Sequence, residues 1–163
     1  MPVSQSTEEI FVTTTLKAWD AWVGRTSQIF DSFRDEEMLK EIAPGKNRVI
    51  YVFGHLIAVN DALIPTLGLG EAGYPHLKEL FIDKPDRAVA LPPVSELRQN
   101  WKDLNARLDR LFTQLTPAQW LERHAMVSEE DFAKEPHRNR IAVLQSRTSH
   151  VAYHLGQLKL LSR

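Results

Sequence analysis

The stretch SHVAYHLGQL, residues 149–158, places His150 and His154 four residues apart in a segment that otherwise reads as packed helix. Residues i and i+4 of an α-helix share one face, with Cβ atoms about 6 Å apart. Two imidazoles so placed can both reach one ion at a metal–nitrogen distance of about 2.0–2.1 Å. The spacing equally suits a catalytic pair or two unrelated buried rings. It is not the zinc-protease motif, because Val151 stands where that motif needs a glutamate as general base.

A third ligand has to come from another helix, and YVFGHLIAVN offers His55 among apolar neighbours. A lone histidine on an apolar helix is also an ordinary hydrogen-bonded core residue. The other histidines, His76, His124 and His137, fall in loops, where a solvated role is expected. One ligand from one helix and two from another is a normal way to build a metal site inside a helical bundle. Three neutral imidazoles would leave such an ion its double charge and an open position, where water acidifies toward a pKa of about 7 or a thiol ionises.

Partners for the outer ring nitrogens are less easily read. Asn60, Asp61 and Gln157 are near enough in sequence. Asp61 is rotated off the His55 face, and Gln157 is expected to bond a helix neighbour instead. Arg147, three residues before His150, could meet an anion at the mouth of the site, although a solvated arginine is the first expectation. Tyr153 lies between the two histidines and is free to face solvent, a pocket or another subunit.

Four long segments carry helical periodicity and must position these side chains. The first runs from about Thr7 to Phe33 and holds Trp19 and Trp22 at core spacings. The second, from about Val49 to Leu67, is apolar nearly all round and is closed by Gly68 and Gly70. The third carries the seam Leu97, Trp101, Leu104, Leu108, Leu111 and Leu115, with Ser95 as N-cap behind two prolines. The fourth, from about Asn139 to Leu161, repeats the seam with Ile141, Leu144, Thr148, Val151, Leu155 and Leu158. The connections 34–48, 68–94 and 116–138 are long for a compact domain and hold short helical stretches in DEEMLKEI, HLKELF and TPAQW. Trp120, after the TPAQ turn, is placed to pin its connection to the helices. The expected fold is all-α, a four-helix bundle forming one domain over residues 1–163.

Composition narrows the function. The 163 residues are 43% hydrophobic and 25% charged, a globular mix. With 20 Lys and Arg against 21 Asp and Glu the net charge is −1, which gives no electrostatic reason to expect nucleic acid. Cysteine is absent, so zinc-thiolate sites and cysteine nucleophiles are excluded, and a metal would need His, Asp, Glu or main-chain oxygen. The N-terminal residues do not read as a signal peptide. The apolar stretch VIYVFGHLIAV falls short of the roughly 20 residues that span a bilayer. A soluble cytoplasmic protein, without membrane partners, is the expectation.

The GHLI of residues 54–57, the HVAYHLGQL of residues 150–158 and the LTPAQW before the last helix resemble the DinB/YfiT superfamily of metal-binding bundle proteins. The resemblance implies one divalent metal, nickel or zinc, held by His55, His150 and His154. It also implies a small-molecule substrate. Some members of the superfamily are transferases that use low-molecular-weight thiols such as bacillithiol or mycothiol, others are metal-dependent hydrolases, and members often pair as homodimers. A non-enzymatic bundle that binds a small molecule or metal is the alternative.

Overall fold

A computed structural model describes residues 5–161. All regular structure among them is helical, with only two isolated β-bridges, so the fold is all-α. Helix α1 spans Thr7–Ser32 and begins with a reciprocal cap. The Ser6 hydroxyl accepts from the Glu9 amide at 3.1 Å, and the Glu9 carboxylate accepts from the Ser6 amide at 2.7 Å. Two orphan donors of the first turn are satisfied in this way. Its inner face carries Val12, Trp19, Val23, Ile29 and Phe30. Trp22 does not join them fully: it is half-buried, with the Arg25 guanidinium 5.0 Å from its ring.

The second helical run covers the expected residues, but it is broken. Helix α2 covers Val49–Asp61, and after a turn at Ala62 helix α3 covers Leu63–Thr66. Pro65 accounts for the break, since it has no N–H for the Asp61 carbonyl and its ring crowds that oxygen. The chain then leaves through Gly68 and Gly70, whose φ values of 72° and 125° favour glycine. By length and composition the 18-residue run Val49–Thr66 is apolar enough to cross a membrane, but 78% of it is buried inside the fold. Its apolar surface is used in the core.

Helix α4 spans Val94–Phe112. Its N-cap position is taken by Pro93, and Ser95 lies inside the first turn without capping it. A proline just before the helix is pre-set for this entry. The seam holds through Leu108 and then passes to Phe112, leaving Leu111 half-buried and Leu115 beyond the helix end. Near the end of the chain come two short helices, α5 (Pro117–Trp120) and α6 (Glu129–Lys134), and then the long α7 (Arg140–Lys159). Thr116 caps α5 and Asn139 caps α7 through their side chains, and all six expected seam residues of α7 are buried.

One hydrophobic cluster joins α1, α2, α4 and α7. The Phe30, Phe53 and Trp101 rings interlock at its centre, with centroids 4.0–5.8 Å apart, tying α1 to α2 and α4. Trp120 is fully buried against Phe112 at 5.2 Å and so pins its connection as expected. The most extensive helix pairing is α1 on α7, while α2 contacts both α4 and α7.

The 67–93 connection folds back over α2 and matters most for the site. The Asp61 carboxylate accepts from the Gly73 and Tyr74 amides at 2.8 and 2.7 Å, which fixes the start of this segment. At its far end the Asp86 carboxylate accepts from the Arg48 amide at 2.8 Å and pairs with the Arg48 guanidinium at 2.7 Å. The Tyr51 hydroxyl donates to the Lys84 carbonyl at 2.6 Å. Between these ties Leu77 and Phe81 are fully buried, and Glu79–Asp83 winds as a single π-helical turn.

Candidate metal centre

His55 projects from α2, and His150 and His154 project from successive turns of α7. One ring nitrogen from each lies within 4.8 Å of those of the other two, the one such group of potential metal-binding side chains among the described residues. His150 Nε2 is 3.3 Å from His55 Nε2 and 3.1 Å from His154 Nε2. For comparison, two nitrogens bound tetrahedrally at 2.0–2.1 Å stand about 3.3–3.4 Å apart. The spacing expected on α7 therefore meets its partner across the core.

The outer nitrogens determine which way the inner ones are protonated. His55 Nδ1 lies 2.9 Å from the Phe81 carbonyl, which can only accept, so Nδ1 carries the proton and Nε2 is bare. His154 Nδ1 lies 2.8 Å from Gln157 Oε1, with the same consequence. Gln157 Nε2 in turn donates to the Tyr153 hydroxyl at 3.1 Å. Gln157 thus bonds a helix neighbour, as expected, but also orients a histidine of the cluster, whereas Asp61, rotated off the His55 face as expected, serves the connection. Asn60 is buried with its amide unpaired and takes no part in the cluster's hydrogen bonds.

With two bare nitrogens aimed at His150 Nε2, one proton there could serve only part of the group, and His150 Nδ1 is buried without a partner. A divalent cation would accept all three lone pairs at once, so the donor set fits such an ion. Burial lowers the pKa of all three rings. His150 is pushed to about 4, by burial first and then by His154, His55 and Arg147. The rings are therefore neutral at neutral pH, the form that binds metals.

Gly54 explains why the ring at position 55 can be anchored from another segment. A Cβ built on Gly54 would stand 2.2 Å from the Phe81 ring. Only a bare backbone lets the π-helical turn lie against α2, and that approach brings the Phe81 carbonyl to His55 Nδ1. A carbonyl at the end of so short a turn lacks an intrahelical partner and is free to accept. Nothing local in the sequence announces Phe81, which is 26 residues from His55.

Two adjoining clefts open beside the cluster. One, of about 270 Å3, is lined by Tyr51, Val52, His55, Phe81 and His154. The other, of about 460 Å3, is bordered by Ile42, Lys46, Val52, Tyr153, His154 and Gln157. Tyr153 is largely exposed on that rim. His76 and His137 are exposed, and His124 accepts from the Met126 amide, so none of the loop histidines joins the cluster. Arg147 departs from expectation: it is half-buried rather than solvated, and its charge acts on both His55 and His150.

The sequence model of the DinB superfamily matches residues 18–158, and the chain belongs to that superfamily. No curated protein matches it.

The Gln157 contact makes one expectation. Gln157→Leu frees the His154 ring to rotate and is expected to weaken Zn2+ binding about 10–100-fold. Competition against a chromophoric chelator measures the change. Unaltered affinity would show that the hydrogen bond positions nothing.

Proposed function

We propose that α1, α2, α4 and α7 form a four-helix bundle in which His55, His150 and His154 hold one zinc or nickel ion, and that the protein is a transferase using a low-molecular-weight thiol. The observation that carries the metal assignment is the convergence of three Nε2 atoms, two of them left bare because their rings are protonated at Nδ1. A cation in that position supplies Lewis acidity, lowering the pKa of a water or thiol brought to it.

The chain's own groups favour the thiol. Activation of water for hydrolysis is normally helped by a general base, and neither the residues lining the two clefts nor those acting on the three rings include a carboxylate. A thiol starts more acidic than water and would ionise beside the cation with less help. The chain has no cysteine, so the thiol arrives as cosubstrate. The Phe81 carbonyl and Gln157 hold two rings in place, and the walls of Val52, Phe81 and Ile82 keep that side of the cleft apolar.

The test is a metal analysis of untagged protein together with an activity screen. Close to one divalent ion per chain is expected, with metal-dependent thiol consumption in the presence of electrophiles and none in His55→Ala. Turnover of activated esters without thiol would establish hydrolysis instead. Equal rates in the two proteins would reduce the site to binding.

A further inference from the structure

Every other half-buried arginine among the described residues is held by a partner. Arg48 pairs with Asp86, Arg98 with the Phe30 and Phe33 carbonyls, and Arg107 with the Glu71 carbonyl. Arg123, Arg138 and Arg140 bond Val127, Glu135 and Glu122 respectively. Arg147 alone makes no hydrogen bond or ion pair, and its Nε is buried. A guanidinium partly withdrawn from water without a counter-charge is costly, so its presence here asks for a reason.

Its position supplies one. Arg147 sits one turn before His150 on α7, and residues i and i+3 share a face. Its charge is felt by His150 and, across the helix interface, by His55. No acidic side chain is among the groups that perturb Arg147 or the three rings. With a divalent cation bound by neutral imidazoles, the cation and Arg147 would hold three positive charges, and no carboxylate acts on Arg147 or the rings. The ligand has to bring the negative charge.

We propose that Arg147 is an anion-binding element of this site and that the small molecule handled there carries a carboxylate, which Arg147 receives while a second donor group meets the cation. The proposal rests on the metal reading above for its second half only. The planar fork of a guanidinium matches a carboxylate with two parallel hydrogen bonds, and such charge-assisted bonds are roughly twice as strong as neutral ones.

The test compares wild type with Arg147→Met, which keeps the apolar stem and removes the charge. Both proteins are loaded with Co2+ and titrated with 3-mercaptopropionate and with 2-mercaptoethanol, following the sulfur-to-cobalt absorption. The wild type is expected to prefer the mercapto acid by about tenfold or more, and Arg147→Met to lose that preference while binding mercaptoethanol as before. Equal affinity for the two thiols in wild type, or a preference that survives the substitution, overturns the proposal. A second arm needs no cation. Propionate raises the unfolding midpoint of the metal-free wild type but not of Arg147→Met, since a ligand stabilises the state it binds. The metal-free variant itself melts at or above wild type, because a half-buried charge without a partner has been removed. A lower midpoint for the variant, or no propionate effect in wild type, counts against the anion site. Failure of both proteins to bind Co2+ would sink the metal reading and leave the anion site to be decided by this arm.

Discussion

Alanine at position 150 is expected to lower the affinity for Zn2+ by at least about a hundredfold, and a thousandfold loss is reasonable. Structural zinc bound by four ligands is worth about 10–16 kcal/mol in all, so each ligand carries a few kcal/mol. His150 is also the ring whose Nε2 lies within 3.3 Å of both others, so its removal leaves two donors that no longer share a close neighbour. The fold should survive, because the adjacent core positions are Thr148 and Val151. Chelator competition measures the affinity. Retention of zinc to within tenfold of wild type would remove His150 from the site.

The same ring gives a pH dependence with a definite sign. Its folded pKa of about 4 lies below the ordinary value of 6.5. Between those values the unfolded chain binds more protons than the folded one, so the stability of the metal-free protein rises with pH. The contribution is complete above about 6.5 and is lost as the pH falls toward 4. Urea melts across this window should therefore be steeper in pH for wild type than for His150→Ala. Parallel curves would show that the ring is not desolvated in the folded state.

Gly54→Ala is expected to cost about 2–4 kcal/mol in stability and to weaken cation binding by a further 10–100-fold. Helix propensity alone predicts the opposite, because alanine is favoured over glycine by about 1 kcal/mol within a helix. Packing decides here. The new methyl would lie 2.2 Å from the ring of Phe81, a fully buried side chain. Either α2 or the π-helical turn has to move, and with it the carbonyl that orients His55. Phe81→Leu should relieve the clash, so the two substitutions together cost less than their sum, a coupling that a double-mutant cycle measures. A Gly54→Ala protein more stable than wild type would show that the close approach is not needed.

Much of this site was legible in the chain because it depends on local repeats. The seam of α7 and the i, i+4 histidine pair follow from the 3.6-residue turn, which any stretch of helix obeys without reference to the rest of the molecule. The capping residues Thr116 and Asn139 are local in the same way. Where local reading erred, a neighbouring element intervened. Ser95 lost its capping place to Pro93, the second helix divided at Pro65, and the α4 seam ended on Phe112 because Trp19 and Trp120 pack there.

The order of residues along the chain is enough to specify an all-helical fold, a pair of imidazoles on one face of the last helix, and a third imidazole available on an apolar one. Tertiary structure alone decided that His55 meets His150 across 95 positions, that Phe81 and Gln157 turn two of the rings inward, and that Arg147 lies half-buried without a partner. The physical reason is that such contacts are set by which helix faces bury against which, and by the absence of a single Cβ at Gly54. No local pattern along the chain encodes either.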